Sequence, residues 1–128
     1  MSQSTKLHTT LTRPVIHAGD TPTDTFPWGT ITWIDSAAIT GSETLTIGIV
    51  QIEAGQQNPR HCHPNCDEAL LLLEGELVHW IGEEEYLLRP GSLVHIPTGA
   101  PHQARNPGAT PARMMVSYNT GRREMVLS

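Results

Sequence analysis

Apolar positions in this chain come in short runs that alternate with polar ones at a period of two, and Gly or Pro interrupts almost every run. A period of two marks strands, whose successive side chains point to opposite faces. The pattern predicts strands at Thr30–Ile34, Leu45–Glu53, Pro59–His63, Ala69–Glu74, Glu76–Ile81, Glu85–Leu88, Ser92–Ile96, His102–Asn106, Ala112–Tyr118 and Glu124–Leu127. Thr44, Thr46 and Gly48 fall opposite Leu45, Ile47 and Ile49. Ala69–Leu73 is apolar at every position, the pattern of a strand buried on both faces. Glu74-Gly75 and Gly82-Glu83 bracket a hairpin, and Arg89-Pro90-Gly91 has Pro and Gly in type II turn order. The best helical candidate is a single turn near Ser36–Ile39. Pro14–Pro27 reads as loop, an arm that packs on the sheet or on another subunit. The expectation is one all-β domain. Residues 1–40 form an N-terminal arm with the first strands and a candidate dimer contact, and residues 41–128 form the main body.

Composition narrows the classes. The chain has 128 residues, 38% hydrophobic and 16% charged, which suits one folded domain and excludes a disordered one. No apolar run approaches the ~20 residues that span a bilayer. Met1–Thr12 is polar and lacks the apolar stretch of a secretory leader, so the cytoplasm is the default location. The net charge is −5, and Arg122-Arg123 is the nearest approach to a basic cluster, which argues against nucleic-acid binding. Glu83-Glu84-Glu85 reads as a solvated turn. Cys62 and Cys66 lie too close together for a disulfide between them to stabilise much, so both are read as free thiols. A zinc cluster of His61, His63 and Cys66 is the weaker reading of this region.

The chemistry lies in three histidines and a glutamate. His61 and His63 share one face of a strand, with Cα atoms roughly 6.6 Å apart. Glu68 adds an anionic oxygen and His102 a third nitrogen from a distant segment. Three imidazoles and one carboxylate suit a borderline divalent transition metal.

The segments that carry these residues, Gly55-x5-His61-x-His63-x4-Glu68-x6-Gly75 and Gly91-x5-Pro97-x-Gly99-x2-His102-x3-Asn106, resemble the two motifs of the cupin family at every fixed position. The resemblance implies a double-stranded β-helix, the jelly-roll cupin barrel, and ligand roles for His61, His63, Glu68 and His102. It also implies a homodimer, often built by exchange of an N-terminal strand. Gly55 and Gly91 are expected to supply turn geometry. Pro97-Thr98-Gly99 would make the tight turn before His102, and Asn106 would hold that strand end.

Three neutral imidazoles and one carboxylate leave a dication with a net charge near +1, a centre for an anionic or chelating small molecule. An octahedral ion keeps two open positions beyond four protein ligands, whereas tetrahedral zinc is saturated. Iron, manganese or nickel is therefore the expected metal, with zinc as the alternative. The leading expectation is dioxygenase chemistry on a chelating enol, diketone or aromatic. The alternatives are a metal-dependent isomerase, lyase or cyclase, and a ligand-binding cupin without turnover. Tyr118, His79 and His95 are the candidates for moving a proton. Met114, Val116 and Tyr118 share a face and are candidate core or cavity residues, and Ala104 points inward if His102 does. Trp28 is a candidate lid and Arg60 a candidate anion contact at the mouth. Trp80 is expected inside the barrel or at a subunit contact. His8 and His17 are read as exposed.

Overall fold

In a computed structural model of the protein, residues 13–128 are described. The polar Met1–Thr12 segment, with His8, lies outside them. Eleven strands and one helical turn, α1 (Ala37–Thr40), make up the described elements. The strands are β1 (Thr23–Phe26), β2 (Gly29–Asp35), β3 (Thr46–Ile52), β4 (His61–Cys62), β5 (Glu68–Glu74), β6 (Leu77–Ile81), β7 (Glu84–Leu88), β8 (Leu93–Ile96), β9 (His102–Arg105), β10 (Ala112–Tyr118) and β11 (Val126–Leu127). They form a six-stranded sheet in the order β1-β2-β3-β10-β5-β8 and a five-stranded sheet in the order β11-β4-β9-β6-β7. Every ladder is antiparallel. The all-β jelly roll is thus the observed architecture. Among the described residues no helix is long and apolar enough to cross a membrane.

Alternation decides which side chains face the interior. On β3 the inward face is Thr46, Gly48, Val50 and Ile52. On β10 it is Ala112, Met114, Val116 and Tyr118. These meet Leu70 and Leu72 of β5, Leu77 of β6 and Ile96 of β8 in one core. Each fully buried Leu, Ile or Met contributes about 1.5–3 kcal/mol over its exposed state.

The outward faces overturn one expectation and narrow another. Ala69–Leu73 is not buried on both sides: Leu70 and Leu72 point in, whereas Leu71 is half-buried and Leu73 is 41% exposed. Nothing within the described residues covers that outer face, and Leu71 instead lies in a cross-strand row with Met115 and Leu93. Trp80 alternates with the inward pair Leu77 and His79, so it lies half-buried on the outside rather than in the barrel, which leaves a subunit contact as the other half of that expectation. Part of Pro14–Pro27 is also not loop, since Thr23–Phe26 pairs with β2 at the edge of the larger sheet.

Turn chemistry places the site. Gly91 has φ +95°, and Ser92 N donates to Arg89 O at 2.9 Å, so the type II reading of Arg89-Pro90-Gly91 holds. Gly99 has φ +79°, a conformation that side-chain-bearing residues rarely adopt. Its N–H donates to His63 O at 2.9 Å, which ties the turn before β9 directly to a site residue. Asp67 adds a second tie by accepting from Thr98 N and Thr98 Oγ1.

Candidate metal centre

The four sequence-predicted ligands converge. His61 of β4 and His102 of β9 face one another as cross-strand partners. His63 follows just beyond β4, and Glu68 opens β5 in the other sheet, opposite Tyr118 of β10. One potential ligand atom from each of the four lies within 4.8 Å of all the others. His63, Glu68 and His102 are almost fully buried, and His61 is half-buried.

The hydrogen bonds around the cluster set the tautomers. His61 Nδ1 lies 2.7 Å from Pro59 O, His63 Nδ1 2.8 Å from Glu124 O, and His102 Nδ1 2.9 Å from Ala100 O. A carbonyl oxygen only accepts, so each Nδ1 carries the proton and donates it. Each Nε2 of a neutral ring then offers a lone pair, which is the arrangement metal-binding histidines use. His63 Nε2 and His102 Nε2 each lie 3.2 Å from Glu68 Oε1. None of these three buried atoms has a hydrogen-bond partner. Two lone pairs aimed at a carboxylate oxygen repel unless a cation sits among them. Adjacent ligands on an octahedral ion with bonds of about 2.1 Å stand about 3.0 Å apart, close to the spacing seen. The residues fit a divalent ion.

Electrostatics agree. Burial, and then the neighbouring His102, push the His61 pKa down to about 4, so its ring is neutral and available as a ligand at pH 7. Burial alone would raise the Glu68 carboxyl; facing His102 and His63 rings that donate to it would hold the pKa at about 2, and with both Nε2 atoms deprotonated a bound cation would take over that role. Glu68 is therefore an anion.

The cluster lines a cavity of about 120 Å³ whose walls are mostly apolar, among them Phe26, Trp28, Ile31, Leu70, Met114 and Val116. A cavity of about 150 Å³ lined by such side chains is large enough for benzene. Trp28 is in the wall, stacked on Phe26 with ring centroids 4.8 Å apart. Ala104 points in as expected. The proton-transfer candidates divide. Tyr118 and His79 line the cavity. His79 stacks on His102 at 5.9 Å, and its Nδ1 is buried without a partner. His95 is instead on the outer face, its side chain 61% exposed and bonded to Asp67 at 3.2 Å. It alternates with the inward Val94 and Ile96, so the strand's own phase removes it from the cavity. Arg60 is also turned away, donating to Gly82 O at 3.2 Å.

Asn58, Arg123 and Met125 line the cavity without having been singled out as lining residues. Arg123 and Met125 lie about sixty residues from the first histidines, and no short-range pattern links the two segments.

Cys66 is 3% exposed within the apolar core, and burial pushes its thiol pKa up. It is not among the four clustered residues. Cys66→Ser is expected to leave metal content unchanged while lowering stability by about 1–3 kcal/mol for the buried hydroxyl. Elemental analysis of the dialysed variant tests this, and a marked metal loss would revive the zinc cluster with Cys66.

Comparison with known proteins places this geometry. The sequence matches the Cupin domain family over residues 48–118. It is 34% identical over 114 residues to oxalate oxidase GF-2.8 of Triticum aestivum, covering 80% of this chain and 50% of that protein. It is 35% identical over 100 residues to germin-like protein 3-3 of Oryza sativa subsp. japonica, covering 70% and 44%. The chain thus spans about half the length of the curated relatives it matches. Among solved structures, the formate complex of Lactobacillus farciminis oxalate decarboxylase superposes with a TM-score of 0.81 at 20% identity, over 87% of this chain and 34% of that one. Bacillus subtilis oxalate decarboxylase, a protein with Mn(II) centres, superposes with a TM-score of 0.75 at 18% identity, over 80% and 28%. Identities this low speak for the fold alone. With a family match across more than half of its length, and both motifs brought together around one cluster, this chain belongs to the cupin family.

Proposed function

We propose that the protein is a metal-dependent oxygenase that acts on a small chelating molecule, an enol, diketone or aromatic. The observation that carries this reading is the convergence of His61, His63, Glu68 and His102 on a compact, largely apolar cavity. These four residues would hold the ion, which when bound supplies Lewis acidity and, for iron or manganese, electron exchange. The side chains around it bind and shield. Apolar walls exclude water and suit an apolar substrate body. Tyr118 keeps its phenol protonated, because burial and then the Glu68 charge push its pKa well up, so it donates a hydrogen bond rather than accepting a proton. Burial, then His102, lower the His79 pKa to about 4, which makes it a weak base. Neither Tyr118 nor His79 is the strong base that an isomerase or lyase needs, which supports oxidation.

A second reading follows from the similarity to oxalate oxidase: that oxalate is the substrate. One experiment separates the two. Iron-loaded and manganese-loaded protein are each given acetylacetone, catechol and oxalate in an oxygen electrode. The first reading expects oxygen uptake with a diketone or catechol and little with oxalate. Uptake with oxalate alone would install the second reading, and none with any of the three would overturn both.

A further inference from the structure

We propose that Arg123 is the anchor for an anionic group on the substrate. The cavity would then take a small molecule with a chelating end for the metal, an apolar body, and a carboxylate for this guanidinium. The inference rests on the metal-site reading above and deepens it.

Arg123 and Glu68 are the charged side chains lining the cavity at neutral pH, and Glu68 belongs to the metal cluster. The guanidinium carbon lies 4.7 Å from the Trp33 ring centre and 5.2 Å from that of Tyr118. The Tyr118 ring in turn lies 4.9 Å from the His63 ring. A guanidinium held over aromatic faces still has its in-plane N–H donors to offer. Among the described residues, Arg123 has no carboxylate within ion-pair distance and no side-chain hydrogen bond. Arg60 pairs with Glu83, Arg113 with Glu74 and Arg122 with Glu43, and of the arginines without such a partner among the described residues Arg123 is the one that lines the cavity. Asp24, across the shallow groove on its other side, already accepts from Trp33 Nε1 at 3.0 Å.

The backbone holds Arg123 in place from both sides. Asn65 Nδ2 donates to Arg122 O at 2.9 Å, and Glu124 N donates to Asn65 Oδ1 at 3.0 Å. Glu124 O accepts from His63 Nδ1. The cation is thus fixed one residue from a carbonyl that orients a metal ligand. Arg with free planar donors favours a bidentate carboxylate, and a preorganised cation binds it without further ordering cost.

The test compares two probes that differ only in a carboxylate: catechol and 3,4-dihydroxybenzoate. Each is titrated anaerobically into nickel-loaded protein by calorimetry, which needs no turnover and uses an octahedral ion with two positions left for the chelating end. Wild type is expected to bind 3,4-dihydroxybenzoate at least about tenfold more tightly than catechol, the scale of one charge-assisted contact. R123Q should keep its nickel and bring the two probes within about twofold of each other, and R123K should restore part of the preference as a point charge. Equal affinities in wild type, a preference that survives in R123Q, or equal weakening of both probes would overturn the anchor while leaving the metal site intact. Failure of wild type to take up nickel would overturn the metal-site reading and this inference together.

Discussion

His63→Ala is expected to leave the purified protein with less than about a tenth of the wild-type metal. Loss of an outer partner that only orients a ligand costs about 10–100-fold in affinity, so loss of the ligand itself costs more. The position offers no easy substitute. His63 is 3% exposed, and the Cys66 thiol, three residues on, is packed in the core. Water could fill the space left by the ring, but it would replace a strong nitrogen donor with a weak one. The substitution also strips Glu124 O of its 2.8 Å donor, loosening the stretch that carries Arg123 and Met125 into the cavity. Elemental analysis after exhaustive dialysis checks the expectation, with circular dichroism to confirm the fold. Full metal retention would remove His63 from the ligand set and force a different role on its Nε2.

The difference between what was legible in the chain and what was not has a physical origin. His61 and His63 share a face because strand side chains alternate, and Glu68 and His102 fall at spacings that both motifs carry. These local regularities survive folding. The same alternation, read one residue out of phase, separates His79 from His95: His79 shares the inward face with Leu77, whereas His95 sits between the inward Val94 and Ile96. Apolar composition misleads where an outer sheet face is left open, as at Leu71 and Leu73. β1 is hard to see because Thr23, Asp24, Thr25 and Phe26 are all exposed and carry no apolar alternation. Arg123 is out of reach for another reason. Its place beside Trp33 and Tyr118 depends on the Asn65 clamp and the path of the last loop, contacts that join segments more than fifty residues apart.

Asn106→Ala is expected to lower stability by about 3–5 kcal/mol, since one buried and two part-buried hydrogen bonds disappear together and the buried Ile52 carbonyl is left without a partner. The Asn106 side chain is fully buried. Its Nδ2 donates to Ile52 O at 2.9 Å and to Thr110 O at 2.8 Å, and its Oδ1 accepts from Gly108 N at 2.9 Å. One amide therefore binds the end of β3, the loop beyond β9 and the approach to β10. The backbone bonds of Asn106, to Gln56 O and from Gly55 N at 2.9 Å each, survive the substitution, so the loss is confined to the side chain. For a domain of ordinary stability, about 5–15 kcal/mol, the change removes a third or more of the total. Thermal unfolding of the metal-free protein should show Tm lower by about 10–20 °C. His102 lies four residues upstream on β9, so the variant is expected to bind metal when cold and release it on warming before the wild type does. A Tm within about 3 °C of wild type would mean that water replaces the amide at all three partners, and that the packing of the two sheets alone holds β9 and its histidine in place.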